Sequence, residues 1–295
     1  MFRKNPIAAV ALVAAALFAA SPAFAQAEPA GARVAVNGMD MYYEVSGEGE
    51  PLIVLHGSYM NIPSMGGIVP ALAETGKVYA LELQGHGRTT DIDRPITYQN
   101  LADDVAAFMD AVGLTKANVF GYSMGAITGL QLAIRHPEKV ERLVFVSGAY
   151  DLGGWQKAFR DFIPQMNVEM FLGMPALVEP HKKLSPDPDG FAELAEKLIQ
   201  LEKEPMAWEA EVRALKMPVL IVTGDADAAT LEHSVQMFRL LGGGVMGDMG
   251  EKLPESRLAV LPATSHTAVI TQVDLLMGFV EPFLEGETPK GFFEQ

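Results

Sequence analysis

Short apolar runs alternate with amphipathic segments along most of the chain. Runs with the length of buried strands occur at 41–45, 51–55, 77–83, 117–122, 140–146, 218–223 and 257–261. Apolar residues at helical spacing occur at 98–112, 124–135, about 230–241 and about 269–284. Strands that alternate with helices in this way predict a mostly parallel sheet covered on both faces, the doubly wound α/β class.

The alternation stops between residues 151 and 215. This segment is helical in character, rich in methionine and aromatic residues, and interrupted by a proline-rich loop at 185–190. We interpret it as a helical cap inserted into one α/β core, which would consist of residues 26–150 and 216–295. A glycine-rich loop at 242–255 either borders the functional site or is a surface excursion, and the sequence leaves both open.

The first 25 residues have the pattern of a secretory signal peptide. Arg3 and Lys4 precede an apolar stretch at 7–20, and small residues follow up to Ala25. A signal peptide has a basic start, a short apolar core and a small-x-small cleavage site, whereas a membrane span needs about 20 apolar residues. We therefore expect a mature N-terminus at Gln26 and a periplasmic or secreted location. The alternative is an uncleaved membrane anchor.

Composition and charge narrow the possible partners and chemistries. The chain has no cysteine, which excludes a thiol nucleophile, thiolate metal ligands and redox-active cysteines. A formal net charge of −15 at pH 7 disfavours binding to phosphate backbones and anionic lipid headgroups. We expect a small-molecule substrate, no nucleic acid partner, no membrane partner after signal cleavage, and neither cofactor nor metal. The sequence does not determine the oligomeric state.

The strongest chemical signal lies where the strand at 117–122 passes into the helix at 124–135. The residues Gly121-Tyr122-Ser123-Met124-Gly125 match the pattern G-x-S-x-G. This strand-to-helix context is that of a nucleophile elbow, in which glycines leave room for a sharply turned serine. The alternative is a plain glycine-rich turn. We predict that Ser123 is a nucleophile.

A serine hydroxyl needs a base to remove its proton during attack. Of the six histidines, His266 directly follows the last predicted strand, at the sheet edge where the loops of open α/β folds form sites. An acid that orients this base is expected after the preceding strand, where Asp225 and Asp227 are both within reach. Asp151, after the strand at 140–146, is a third candidate.

Two backbone N–H groups are predicted to bind the oxyanion that develops on the substrate. Ser58 follows an early strand through the turn His56-Gly57, and Met124 follows the nucleophile. Donors placed at these positions would stabilise the transition state. We expect His56 and His86 to be hydrogen-bonded supports rather than catalysts.

Together these features resemble the α/β-hydrolase superfamily, in the branch with a helical cap between strands six and seven. The motifs that carry the similarity are His56-Gly57, Gly85-His86-Gly87-Arg88-Thr89, the elbow, His136-Pro137-Glu138, Gly224-Asp225-Ala226-Asp227 and His266. The resemblance implies that Asp227, the third residue after Gly224, is the acid. Residues 82–90 and 237–244 are similar to a subgroup of bacterial macrolide and small-ester esterases. A serine nucleophile argues against the haloalkane dehalogenases and epoxide hydrolases of this fold.

The predicted function is hydrolysis of a carboxylic ester through an acyl-enzyme on Ser123. The substrate would be small or medium in size and apolar, and macrolide-type lactones are included. Cap side chains would form an apolar lid or simply pack on the core, and Tyr59 and Trp155 are the expected substrate contacts. One alternative keeps the triad but cleaves a lactone or a carbon–carbon bond, or carries out perhydrolysis. The other is a non-catalytic ligand-binding protein on this fold.

Overall fold

The computed structural model describes residues 31–249, 253–287 and 290, so the predicted signal segment at 1–25 lies outside the described residues. Within this part of the chain, eight strands form one sheet. They are β1 (Gly31–Val36), β2 (Met39–Ser46), β3 (Pro51–Leu55), β4 (Lys77–Leu81), β5 (Ala117–Tyr122), β6 (Val140–Val146), β7 (Val219–Ala226) and β8 (Arg257–Ser265). Their order across the sheet is β1-β2-β4-β3-β5-β6-β7-β8. β2 is antiparallel to β1 and β4, and all later pairs are parallel.

Helices cover both faces of this sheet. The α-helices of the described chain are α1 (Ile68–Leu72), α2 (Tyr98–Ala111), α3 (Met124–Arg135), α4 (Lys157–Phe162), α5 (Val168–Leu172), α6 (Pro175–Leu184), α7 (Phe191–Glu202), α8 (Glu209–Ala214), α9 (Leu231–Leu240) and α10 (Val273–Leu284). α2, α3 and α9 lie on one face, and α1 and α10 on the other. None of these helices combines the length and the apolar character needed to cross a membrane.

The two cores follow from the alternation of side chains along each strand. In β3, Ile53 and Leu55 point to the core beneath α2 and α3, whereas Leu52 and Val54 point to the core beneath α1 and α10. The other central strands alternate in the same way, so both faces of each strand are buried. Parallel strands buried on both faces read as continuous apolar runs, which is why their positions are visible in the sequence.

Helices α4 to α8 lie between β6 and β7, where a helical cap was expected. They contain a separate cluster of buried apolar side chains contributed by α5, α6, α7 and the turn before α5. Its members are Ile163, Met166, Phe171, Met174, Val178, Phe191, Ala195 and Ile199. This segment therefore has packing of its own in addition to its contacts with the sheet.

Several features differ from the sequence-based expectation. β1 and α1 were not predicted, because β1 is a largely exposed edge strand and α1 has only five residues. β7 continues to Ala226 and β8 to Ser265, beyond the apolar runs that mark them. The helix predicted at about 269–284 is a 3-10 turn at Val269–Thr271 followed by α10.

Replacing Phe108 by Ala tests the packing of α2 on the sheet. Phe108 is fully buried, and its ring contacts Tyr43 and Tyr79 at centroid distances of 4.9 and 6.3 Å. We expect the free energy of unfolding in urea to fall by about 3–5 kcal/mol, because the substitution leaves a cavity. Phe279→Ala is the matched control, since this ring is 40% exposed and its loss should cost less than about 1 kcal/mol. Equal losses in the two variants would contradict the assigned packing.

Candidate active site

Ser123 lies at a sharp turn between β5 and α3. Its backbone has φ 54° and ψ −118°, a conformation that costs a non-glycine residue about 1–3 kcal/mol. The Ser123 N–H donates to the carbonyl of Val146 at 2.9 Å, which anchors the turn to the end of β6. The side chain is thereby presented at the carboxyl edge of the sheet.

The glycines of the G-x-S-x-G pattern are required by close backbone contacts. A Cβ atom on Gly121 would lie 2.2 Å from the carbonyl oxygen of Gly125. A Cβ atom on Gly125 would lie 2.3 Å from the carbonyl oxygen of Leu55. No side chain fits at either distance, because the first turn of α3 passes directly over β5 and β3. The two glycines are therefore required by the close packing of the nucleophile elbow, and the motif is not simply a flexible glycine-rich turn.

Ser123, His266 and Asp227 form one continuous line of hydrogen-bonded side chains. Ser123 Oγ is 3.0 Å from His266 Nε2. His266 Nδ1 is 2.7 Å from Asp227 Oδ1. The carboxylate accepts the proton on Nδ1, which leaves Nε2 free to accept the serine proton. Residues far apart in the sequence thus meet with the geometry that nucleophilic catalysis requires.

Asp227 is fully buried at its carboxylate and held by several further donors. Ser147 Oγ donates to Oδ2 at 2.6 Å, and the Thr223 hydroxyl and the Gly224 N–H donate to the same oxygen at 3.2 Å each. Burial raises the pKa of Asp227, but the hydrogen bonds and charge of His266 and the Ser147 hydrogen bond outweigh it and bring the pKa to about 2. Asp227 is therefore ionised throughout the range in which proteins normally work.

Ser147 is a functional residue that the sequence analysis missed. It directly follows β6, has φ 56°, and is buried. A polar residue that immediately follows a buried parallel strand lies at the same sheet edge as the nucleophile, and this position was the available signal.

Asp225 has a different partner from Asp227. Its two carboxylate oxygens accept the backbone N–H groups of Ala263 and Thr264 at 2.9 and 3.0 Å. These residues form a bulge in β8, because Gly224 pairs with Leu261 but Ala226 pairs with Ser265. Asp225 therefore holds the bulge that precedes His266, and it does not contact the imidazole. Asp151 lies elsewhere and caps the 3-10 turn at Leu152–Gly154 by accepting the Gly153 N–H.

Of the predicted oxyanion donors, Met124 directly follows the nucleophile, and Ser58 lines the same cavity as the nucleophile. Met124 is the first residue of α3, so its N–H has no partner within the helix. Ser58 lies in the turn after β3, which is closed by a hydrogen bond from the Met60 N–H to the Gly57 carbonyl at 3.2 Å. No described group accepts a hydrogen bond from the backbone N–H of either residue.

His56 and His86 accept hydrogen bonds from backbone N–H groups at this sheet edge, in agreement with the supporting role expected for them. His56 Nε2 accepts the N–H of Leu83 at 3.1 Å, and His86 Nε2 accepts the N–H of Tyr59 at 3.2 Å. Burial lowers the pKa of His56 to about 4 and that of His86 well below its usual value, so both rings are neutral acceptors at neutral pH. Tyr59 itself has φ 61°, and the His86 contact helps to hold that strained conformation.

A cavity of about 510 Å³ lies over Ser123 and His266, between the sheet edge and the cap. Its volume is that of a pocket for a small organic molecule. The cap contributes mainly apolar lining residues, which are Phe159, Phe162, Met166, Phe171, Met174, Leu177 and Pro180. The opposite wall includes Ser58 and Tyr59.

Trp155 was expected to contact substrate, but it is not among the residues lining the cavity. It is 5% exposed and packs edge-on against Phe159 and against the imidazole of His266, at centroid distances of 5.5 and 6.3 Å. The Trp155 ring therefore packs against His266 and Phe159 and does not face the cavity. The described residues of the 242–255 loop, 242–249 and 253–255, also do not line the cavity.

Glu202, the last residue of α7, is a second site residue that sequence analysis missed. It lines the cavity, as Ser58 does, and the Ser58 hydroxyl favours the ionised form of its carboxyl and so acts to lower its pKa. It stands six residues from Glu196, the nearest other acid in α7, and gave no motif signal. Among the described residues, no three His, Asp or Glu side chains cluster as they would around a metal ion.

Comparison with known proteins gives the same fold. The family model of the α/β hydrolase fold matches residues 50–181. A meta-cleavage product hydrolase from Pseudomonas fluorescens IP01 superposes with a TM-score of 0.66 at 20% identity, covering 86% of this chain and 97% of that one. An enol-lactonase from Burkholderia xenovorans LB400 superposes with a TM-score of 0.65 at 21% identity, covering 86% of this chain and 100% of that one.

A sequence relative covers most of the chain. A pimeloyl-(acyl-carrier protein) methyl ester esterase of Aeromonas hydrophila subsp. hydrophila is 26% identical over an alignment of 276 positions that covers 83% of this chain and 100% of that protein. The chain has the α/β-hydrolase fold, a mostly parallel eight-stranded sheet with flanking helices.

Proposed function

We propose that this protein is a serine hydrolase that cleaves carboxylic esters through an acyl-enzyme on Ser123. The observation that carries the proposal is the hydrogen-bonded line Ser123–His266–Asp227 at the floor of a 510 Å³ cavity. A protein that only binds a ligand would have no use for a strained serine whose hydroxyl is aligned with a buried, carboxylate-oriented imidazole.

In the acylation step, Ser123 Oγ attacks the ester carbonyl while His266 Nε2 takes its proton. The carbonyl oxygen becomes an oxyanion, and in this proposal the backbone N–H groups of Ser58 and Met124 donate to it. Asp227 stabilises the imidazolium that forms, because its carboxylate is ionised and 2.7 Å from Nδ1. When the tetrahedral intermediate collapses, His266 donates its proton to the leaving alkoxide and the alcohol departs.

Deacylation repeats these steps with water. His266 accepts a proton from the attacking water molecule, and the same two N–H groups bind the second oxyanion. Collapse breaks the bond between the acyl carbon and Ser123 Oγ, and His266 returns its proton to the serine. The products are a carboxylic acid and an alcohol, and the enzyme is regenerated with all protons balanced.

The cavity supports a substrate of small or medium size with an apolar portion. Its cap wall consists of aromatic, methionine and other apolar side chains, and methionine adapts to irregular shapes. Relatives named as a methyl ester esterase and an enol-lactonase support cleavage of an ester or of its cyclic form. We propose esters as the substrate class and include lactones of the macrolide type, which the same triad would open.

We also propose that the protein is exported. After expression of the full chain in a bacterium, the intact mass of the purified protein should correspond to a start at Gln26, because the preceding segment has the pattern of a cleavable signal. Recovery from the periplasm or medium would agree with this start. A purified protein that retains residues 1–25 would contradict it.

Covalent labelling tests the nucleophile. A fluorophosphonate probe should label the wild-type protein and fail to label Ser123→Ala, because only an activated serine attacks the phosphorus atom. Thr128→Ala serves as the control, since this hydroxyl is also buried in α3 but does not line the cavity. An unlabelled wild type would refute the hydrolytic proposal, and labelling of Ser123→Ala would place the nucleophile elsewhere.

Comparison of Asp227→Asn with Asp225→Asn tests the orienting acid. Asp227→Asn should lower kcat for a p-nitrophenyl ester by about 10³–10⁴-fold, because the amide no longer holds the tautomer in which Nε2 is unprotonated. Asp225→Asn retains one acceptor for the β8 bulge and should lower kcat by no more than about tenfold. Steady-state kinetics decide between them, and the reverse order would move the role to Asp225.

A further inference from the structure

Glu202 is an unusual group for the place it occupies. It ends α7, where the partial negative charge of the helix C-terminus disfavours a carboxylate, and the last turn of α7 has no basic residue. It also lines a cavity whose cap wall is apolar. Neither helix stability nor core packing therefore explains an acid at this position.

The carboxyl of Glu202 has no cationic partner among the described residues. No lysine or arginine lines the cavity, and none forms an ion pair with Glu202. Ser58 and His266 are the groups that favour its ionised form. The side chain is partly buried and faces a largely apolar cavity, so a cationic group on the ligand would complement its charge.

Burial raises the pKa of Glu202 to about 7, although His266 and Ser58 both act to lower it. The carboxyl of Glu202 therefore becomes ionised at a higher pH than an ordinary glutamate does. A cation placed beside it would favour the ionised form, and the attraction would be strong because the surroundings are poorly solvated.

The aromatic rings of the cavity suit the same kind of ligand. Tyr59 lies within electrostatic reach of Glu202 and stacks on Phe171 at a centroid distance of 4.7 Å, and both rings line the cavity. The Tyr59 hydroxyl is buried and has no hydrogen-bond partner among the described residues. Aromatic faces together with a carboxylate form a binding site for an ammonium group.

We propose that Glu202 is a specificity-determining residue that makes this protein select esters carrying an ammonium group. This inference rests on the proposed ester hydrolysis and adds a substrate class to it. The ammonium group would lie against the Glu202 carboxylate and the neighbouring aromatic rings, while the apolar part of the substrate would occupy the cap wall. The carboxylate would disfavour substrates that carry an anionic group in the same place.

A matched pair of substrates tests this proposal. One is a p-nitrophenyl hexanoate with a terminal trimethylammonium group, and the other is its uncharged tert-butyl isostere. A second pair, choline butyrate and its carbon isostere, places the charge on the alcohol side. At pH 8 we expect kcat/KM of the wild type to favour the charged member of at least one pair by about tenfold. In Glu202→Gln the ratio should fall to about one.

Glu204→Gln is the matched control, because it also removes one acid from the end of this segment but does not line the cavity. It should keep the wild-type ratio of kcat/KM values.

A pH series on the wild type needs no variant. The ratio of kcat/KM for the charged ester to kcat/KM for its uncharged isostere should rise between pH 6 and pH 8 as Glu202 ionises. The quaternary ammonium keeps its charge throughout. Besides His266, Tyr59 and Tyr98 are titratable side chains that interact electrostatically with Glu202. Both tyrosines stay protonated in this pH range, because burial raises the pKa of each. Any effect of His266 on turnover that is the same for both substrates cancels in the ratio of their kcat/KM values.

The outcomes separate this inference from the proposed function. If the wild type is labelled by the fluorophosphonate and cleaves the uncharged ester, but shows no preference for either charged ester, the inference alone fails. A preference that survives in Glu202→Gln would also overturn it. If Glu202→Gln lowers turnover of both members equally, Glu202 acts only through His266 and not on the substrate. Absence of both labelling and turnover in the wild type would overturn the proposed function and the inference together.

Discussion

The pairing of Ala226 with Ser265 is the constraint on which the candidate site depends. These residues end β7 and β8, so the next residues, Asp227 and His266, leave the two strands side by side. The pairing is reached only because β8 contains a bulge between Leu261 and Ser265. Asp225 holds that bulge through two backbone N–H groups, and Asp227 then orients the base. The two acids of Gly224-Asp225-Ala226-Asp227 thus have different roles. Asp225 fixes the register of β8 against β7, and Asp227 orients the imidazole of His266.

Backbone strain is concentrated at the same edge of the sheet. Tyr59, Ser123 and Ser147 follow β3, β5 and β6, three adjacent parallel strands, and each has φ between 54° and 61°. Each strained residue donates its N–H to a group from another part of the fold: the ring of His86, the carbonyl of Val146 and the carbonyl of Val222. The surrounding structure therefore compensates the local cost, and as a result Tyr59 and Ser123 line the cavity while Ser147 holds Asp227 from behind.

The sequence was sufficient for the fold class and for Ser123 and His266 as candidates, because these features have strong local signals. Buried parallel strands are continuous apolar runs, and the elbow needs glycines at fixed spacing from the serine. Ser147 and Glu202 have no comparable signal, since their importance comes from what lies opposite them in space. The length of β8 was also underestimated, because Pro262, Ala263 and Thr264 interrupt its apolar run and form a bulge that only the pairing with β7 reveals. Trp155 was misplaced for a related reason: an aromatic residue at the start of a cap can face the substrate or pack behind the base, and composition does not distinguish the two.

The sheet positions the candidate catalytic side chains, and the cap contributes most of the apolar lining of the cavity. Ser123, Asp227 and His266 follow strand ends, and hydrogen bonds along the sheet and between their side chains fix their positions. The cap lies between two of these strands and has its own apolar cluster, so its cavity-facing side chains can change without altering the register of β7 and β8. Glu202 belongs to the cap and lines the cavity together with Ser58 of the sheet edge, whereas the ion pair of Lys197 with Asp91 joins the two parts outside the cavity. A single acid placed there can therefore change which substrate is held over Ser123 while the machinery that attacks it stays the same.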